Sequence, residues 1–160
     1  GDVMGDGAPE IVTGTGSGGA PQVKIFSTDG AKLGDFIADK SRTPSGLNIL
    51  LFDIDGNARR LQSEIIVTRQ SGPARLGVFD FRGNLRSSWQ PYDAKFRGGV
   101  KAVATDLDAD GLKEILTAPL SGGGPHLRIF DRFGHPRSSF YAYAPAFDGG
   151  VNFAVLSIKR

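Results

Sequence analysis

Cysteine is absent from the 160 residues, which excludes a disulfide framework and any thiolate metal site. It does not exclude an extracellular setting, because a bound cation can staple a small fold instead. Histidine is nearly absent: His126 and His135 are the only two. With no cysteine and no Ser-His-Asp spacing, nucleophile-based catalysis has little support. Surface or turn roles account better for both histidines, and His126 alternates outward on a strand. No run of 18 apolar residues occurs, so no segment is expected to span a membrane. Lys and Arg number 19 against 17 acidic residues, a net charge of +2. With no Lys/Arg run and no basic helix, that balance gives no case for nucleic acid. Helical periodicity is missing throughout. There is no Arg-Gly-Asp sequence, no signal peptide and no initiator Met. The chain opens at Gly1 inside a repeat, which reads as a fragment or processed piece.

Glycine is plentiful, 23 residues, and gathers at turns. Three of those turns are rich in Asp: Asp2-Val3-Met4-Gly5-Asp6-Gly7, Asp53-Ile54-Asp55-Gly56-Asn57 and Asp106-Leu107-Asp108-Ala109-Asp110-Gly111. Their first residues lie 51 and then 53 positions apart. Ile25-Phe26, Val78-Phe79 and Ile129-Phe130 keep nearly the same step. So do Gly30, Gly83 and Gly134, and so do Phe36, Trp89 and Phe140. Phe96-Arg97-Gly98-Gly99-Val100 matches Phe147-Asp148-Gly149-Gly150-Val151. The chain therefore reads as a single array of units, approximately 1–46, 47–99 and 100–150, with a final strand in 151–160.

The third unit shows the pattern most plainly. Val100–Thr105 is short and β-prone, and the Asp turn follows. Glu114–Ala118 forms a second strand. Ser121–Pro125 is a loop by composition. His126–Phe130 alternates polar and apolar, as a half-buried strand does. Asp131–Gly134 is a tight turn. Ser138–Tyr143 is expected as a fourth strand. The expected fold class is all-β, about three four-stranded antiparallel sheets. One such sheet cannot bury both faces, so neighbours must stack. Radial stacking of such sheets gives β-propeller blades. Three blades are too few for closure, so the expectation is a partial propeller, or one completed by other chain segments or copies. The missing first strand of the first unit and the extra strand Val151–Leu156 suit closure of that kind. At the end of that strand Ser157–Arg160 replaces the next Asp turn.

The alternating acids of Asp-x-Asp-x-Asp-Gly converge on one point, and hard oxygens are what calcium requires. The third unit offers Asp106, Asp108, Asp110, the Leu112 carbonyl and Glu114. The first offers Asp2, Asp6, the Ala8 carbonyl and Glu10, with Met4 where another oxygen is expected. The second keeps Asp53, Asp55 and Asn57, but Arg59 and Arg60 lengthen its loop and work against a cation. Zinc fits poorly, since no His or Cys is near. The alternative is that these are Asx-type turns in which Asp caps its own backbone.

At these residues the chain resembles the FG-GAP/VCBS repeats of α-integrin-like β-propellers. The matching pattern is strand, Asp-x-Asp-x-Asp-Gly-x-x-acid, apolar strand, Gly-Gly-x-Pro, a strand ending in Ile-Phe, turn, aromatic strand and Phe-x-Gly-Gly. It runs through the whole chain, and Gly18-Gly19-Ala20-Pro21 and Gly123-Gly124-Pro125 belong to it. The departures are Glu10, Glu64 and Glu114 for the usual Asp, Met4, the insertion in the second unit and Ser157. The resemblance implies an extracellular or cell-surface propeller with calcium in the turns of one face. It implies no particular ligand.

The expected function is a non-catalytic, calcium-binding module for adhesion, protein–protein interaction or surface assembly. The alternative is a carbohydrate-binding, lectin-like propeller or an accessory domain of a secreted polysaccharide-active enzyme. Tyr92, Tyr141, Tyr143, Phe96 and Phe147 suit a sugar or protein surface, and blade packing explains them as well. A lyase-type propeller would need a cluster of His, Lys, Arg and Tyr, which the repeat does not advertise. The Gly14–Gly19 stretch resembles a dinucleotide loop, but no helix is expected after it. Partners are therefore a protein or glycan ligand, and a homo-oligomer formed through open sheet edges.

Overall fold

Apolar side chains alternate with polar ones along Gln22–Phe26 and His126–Phe130, and such segments pair into sheets with one buried face. The computed structural model describes residues 1–40, 44–54 and 62–155, and among them every regular element is a strand. The strands are β1 (Ile11–Gly14), β2 (Gln22–Phe26), β3 (Lys32–Ile37), β4 (Leu47–Phe52), β5 (Glu64–Arg69), β6 (Leu76–Phe79), β7 (Leu85–Trp89), β8 (Val100–Thr105), β9 (Glu114–Pro119), β10 (His126–Phe130) and β11 (Pro136–Tyr141). They form three antiparallel sheets, ordered β1-β2-β3, β4-β5-β6-β7 and β8-β9-β10-β11. Each is a meander in which sequence neighbours pair.

Two details differ from the sequence-based expectation. The last strand runs Pro136–Tyr141 and not Ser138–Tyr143. The hairpin turn sets this, because Phe130 stands opposite Pro136 across a bulge. Proline suits that place, where a strand begins and no ladder donor is required. The tail expected as a strand takes no strand pairing over 151–155, and Leu156 lies outside the described residues. Val151 still donates its N–H to the Pro119 carbonyl at 2.9 Å and is buried.

The hairpins after β2, β6 and β10 share one construction. The N–H of Gly30, Gly83 and Gly134 donates to the carbonyl of Ser27, Asp80 and Asp131, each at 3.0 Å. The side chain of that first residue then holds the turn. Asp80 Oδ1 accepts the N–H of Arg82 and Asn84 at 2.9 Å, and Asp131 Oδ1 accepts those of Phe133 and His135 at 2.9 Å. In the first sheet Ser27 Oγ takes the N–H of Ala31 at 3.0 Å. This is the Asx- and ST-turn chemistry that lets short side chains stand in for backbone acceptors. Burial pushes the Asp80 carboxyl up, but the Asn84 and Arg82 hydrogen bonds and the Arg86 guanidinium outweigh it, so the net shift is downward.

The core lies between sheets. Val23 and Ile25 of the first sheet meet Leu47, Ile65, Val67 and Phe79 of the second. On the other side, Ile66, Leu76 and Val78 meet Ala102, Ala104 and Ile115 of the third. Burying each such aliphatic side chain contributes about 1.5–3 kcal/mol. Polar ties cross the same interfaces: Thr68 Oγ1 donates to the Val100 carbonyl at 2.7 Å. Arg69, 2% exposed, pairs with Asp39 at 2.7 Å.

The aromatics Phe36 and Trp89, in the last strands of the first and second sheets, press on a glycine of the following sheet. A Cβ at Gly83 would lie 2.5 Å from Phe36 Cβ, and one at Gly134 would lie 2.5 Å from Trp89 Cδ2. Only glycine lets the rings approach so closely, and its positive φ of 80° and 90° at these turns also disfavours side chains. Trp89 additionally tilts over Phe130 with ring centroids 5.9 Å apart, while its indole N–H is buried without a partner.

Trp89→Ala is expected to cost about 3–5 kcal/mol in urea unfolding. Trp89→Phe removes the orphaned donor and keeps a ring on Gly134, so its cost should stay below about 1.5 kcal/mol. Equal losses for the two would refute the packing account. Asp80→Ala tests the turn. Because the folded carboxyl titrates below its ordinary range, its stabilisation is complete above that range and vanishes as pH falls through the folded value. The variant should lose about 1–2 kcal/mol at pH 7, and the gap to wild type should close on acidification below about pH 4.

Candidate metal centres

Each acidic turn leads into a strand by way of a glutamate, which begins β5 and β9 and immediately precedes β1. Glu10, Glu64 and Glu114 do the same thing in each. Their carboxylates reach back and accept a backbone N–H from the turn: Glu10 Oε2 from Val3 at 2.8 Å, Glu64 Oε2 from Ile54 at 3.1 Å, and Glu114 Oε2 from Leu107 at 2.9 Å. Glu10 and Glu114 are buried, 6% and 8% exposed. A buried carboxylate keeps its charge only when hydrogen bonds or a counter-charge replace water.

In the third turn Asp106, Asp108 and Glu114 bring carboxylate oxygens within 4.8 Å of one another. Gly111 donates to Asp106 Oδ2 at 3.1 Å, and Asp110 donates its N–H to Asp108 Oδ1 at 3.3 Å. The other oxygen, Asp106 Oδ1, is buried with no hydrogen-bond donor. Three carboxylates gathered in this way could hold a metal ion, and the Asp106 oxygen is one that no backbone donor occupies. Asp110 stands outside this grouping; its Oδ1 accepts the Leu112 N–H at 2.7 Å. Leu112 is half-buried there, and Ala109 takes a positive φ of 63° in the turn.

The first turn groups Asp2, Asp6 and Glu10 in the same way. Here both Asp2 oxygens are engaged, accepting from Gly5 at 2.5 Å and Gly7 at 2.9 Å. Asp6 Oδ1 takes the Ala8 N–H at 3.0 Å, and Ala8 itself is exposed. Met4 is exposed, and its N–H donates to Glu10 Oε2 at 3.3 Å. In the second turn Asp53 is half-buried, whereas Asp55, Asn57, Arg59 and Arg60 lie outside the described residues.

Both groupings consist of hard oxygen donors, which suit calcium or magnesium. The donor set fits such an ion best at Asp106, where an oxygen is free to take it. One contact has no sequence signal: Gln62 Nε2 donates to the Val3 carbonyl at 2.8 Å, tying the first acidic turn to the second sheet across 59 residues.

The histidines have structural surroundings. The His126 ring stacks on Tyr141 with centroids 4.6 Å apart and 12° between planes. His135 Nδ1 meets Asp131 Oδ2 at 2.9 Å within its turn. Tyr92 donates its hydroxyl to the His126 carbonyl at 2.8 Å, and burial raises its pKa well above the usual phenol value. The stretch after β1 is a turn leading to β2.

The clamp can be tested without any ion. In chelator, Glu114→Ala leaves the Leu107 N–H without its acceptor and should cost about 1–3 kcal/mol. Glu114→Gln keeps an acceptor and should recover much of that loss. Identical stability of the two variants would show that the hydrogen bond contributes nothing. No protein-family model, no curated protein and no solved structure matches this chain.

Proposed function

We propose that this chain forms blades of a calcium-stapled β-propeller of the FG-GAP/VCBS type, serving as a non-catalytic extracellular module for adhesion, protein–protein contact or surface assembly. The observation that carries the reading is Asp106 Oδ1, a buried carboxylate oxygen without a donor, beside Asp108 and Glu114. The common turn construction supports it further. Calcium held there would cross-link the start of β9 to the turn before it, and so fix the mouth of the β8–β9 hairpin. Such an ion staples structure and takes part in no reaction. The three meanders stacked through apolar faces agree with propeller blades.

A second reading, a carbohydrate-binding propeller, draws on the exposed aromatics near one end of the third sheet. Tyr141 and Tyr143 are 55% and 59% exposed, and Tyr143 lies 5.4 Å from Phe147. A lectin built on repeated blades should offer equivalent pockets between them. Two clefts among the described residues have different walls: one is lined by Glu64, Asp80, Arg86 and Arg132, the other by Asp39, Arg69, Arg75 and Phe79. That difference favours the first reading.

Calorimetric titration with calcium decides the matter. At a Kd near 10⁻⁴ M, millimolar calcium should stabilise the fold by about 1.4 kcal/mol per site and raise Tm accordingly. Asp106→Asn should abolish the response of the third turn while leaving the chelated protein as stable as wild type. No heat of binding and a Tm indifferent to calcium would defeat the staple. Binding on a glycan array that survives chelation would favour the second reading.

A further inference from the structure

The two seams between sheets are built from matching positions and filled differently. Between the second and third sheets Tyr92 reaches across the gap. Its hydroxyl donates to the His126 carbonyl at 2.8 Å and accepts the Thr117 hydroxyl at 3.2 Å. Arg128 occupies the same seam, with its guanidinium 5.0 Å from the Phe130 ring centroid and donating to the Pro91 carbonyl. Between the first and second sheets the matching residues are smaller. Asp39 stands for Tyr92, three residues after the ring of its strand, and Gly77 stands for Arg128, two before Phe79. Val67 stands for Thr117, three after the glutamate. The Phe79 ring turns in over Gly77, where a Cβ would lie 2.6 Å from its Cε2. A cleft of about 530 Å³ nevertheless remains in this seam, within the size range of small-molecule sites.

The walls of this cleft combine apolar surface with a surplus of positive charge. Leu47, Val67 and Phe79 line it, and so do Ile37 and Leu85, which are 48% and 50% exposed. In the filled seam the place of Ile37 is taken by the polar Gln90. Three cationic side chains, Lys40, Arg69 and Arg75, line the cleft against one carboxylate, Asp39. That carboxylate is engaged, because Arg69 Nη1 meets Asp39 Oδ2 at 2.7 Å. Arg69 also donates from Nε to the Ser71 carbonyl at 3.2 Å. Lys40 and Arg75 are exposed, and Arg75 Nη2 donates to Ser88 Oγ at 2.9 Å. Arg75 holds the position of His126, so the open seam carries a permanent charge where the filled one carries an imidazole.

We infer that the cleft between the first and second sheets binds a small organic acid, its carboxylate held by Lys40 and Arg75 and its apolar body resting on Val67, Phe79 and Leu85. The guanidinium fork of Arg75 matches the planar geometry of a carboxylate. The apolar body takes the room that Tyr92 and Arg128 fill in the other seam. A cationic ligand would meet like charge on two sides, since the one carboxylate of the walls is already paired with Arg69. A wholly polar ligand would leave the apolar walls uncovered and gain nothing from them. No ion at the acidic turns takes part, so this site lies beyond the calcium staple, and either can fail without the other.

The test is a titration of the 160-residue chain with benzoate, in chelator, followed through backbone amide chemical shifts. Benzoate should shift Lys40, Arg75, Gly77 and Leu85 along one saturable curve. Benzamide, which keeps the ring without the charge, should bind about tenfold more weakly. Acetate, which keeps the charge without the ring, should not saturate. Arg75→Gln and Lys40→Gln should each weaken benzoate about three- to fivefold, the scale of an exposed ion pair. Both should leave Tm unchanged, because both side chains are exposed. Leu85→Asp should abolish binding by placing a like charge at the mouth, and Leu85→Ser carries the same test should the aspartate lower Tm. Benzoate shifts that never saturate overturn the inference. So does benzamide binding as tightly as benzoate, and so does saturable binding indifferent to both Arg75→Gln and Lys40→Gln.

Discussion

Ile65 and Ile66 are neighbours in β5 and point to opposite sides of one sheet, and both are sealed from water. That double burial is the constraint on which the rest of the molecule depends. A meander by itself offers two faces and covers neither. Here the middle sheet has the first sheet on one side and the third on the other. Its inner strands β5 and β6 are accordingly buried almost without interruption. The outer sheets are apolar on one side and mixed on the other, and β11 is exposed along its full length. Hydrogen-bonded hairpins set each sheet, but the stack exists because these faces exclude water from each other.

The strands were legible because two signals agree at most of them. Alternation marked Gln22–Phe26 and His126–Phe130, and glycine-bearing turns marked where they reverse. The steps shared by Phe36, Trp89 and Phe140 and by Gly30, Gly83 and Gly134 marked the repeat and said nothing of which ring meets which glycine. That pairing is spatial, one sheet onward, and no local window contains it. The end of the last strand was misplaced for a related reason. Tyr141 to Tyr143 looks β-prone, but the register is counted from the hairpin, where the Asp131 side chain has already fixed the turn. The segment 151–155 has the composition of a strand, but beyond the Val151 N–H bond to Pro119 it pairs with no strand among the described residues.

At the acidic turns the sequence identified the residue types and not the use of each oxygen. Asp106, Asp108 and Glu114 converge, as their spacing suggests. Asp110 belongs to the same motif, yet its Oδ1 is occupied by the Leu112 N–H. Motif spacing cannot distinguish a carboxylate that caps its own turn from one that faces an ion, because both need the same short side chain. The two turns with identical logic consequently differ in detail. Asp2 gives both oxygens to the backbone, and Asp106 keeps one back. The insertion before Glu64 leaves its reach to the turn intact, since Glu64 Oε2 still meets the Ile54 N–H.

The meander connectivity has a consequence for how such a chain is made. Every ladder joins strands adjacent in the sequence, so a sheet can pair as soon as its own stretch has left the ribosome. Stacking must wait for the following sheet. During synthesis, domains fold in order from the amino terminus, and each new sheet passes through a stage with one apolar face uncovered. A chain that repeats one face-to-face contact also repeats one risk: an uncovered face meets another nascent copy as readily as its own continuation. Arg69 paired with Asp39, and Asn48 and Thr68 donating to Val100, place polar contacts at the seams. Contacts of this directional kind register one sheet against the next, where apolar surfaces alone would let them slide.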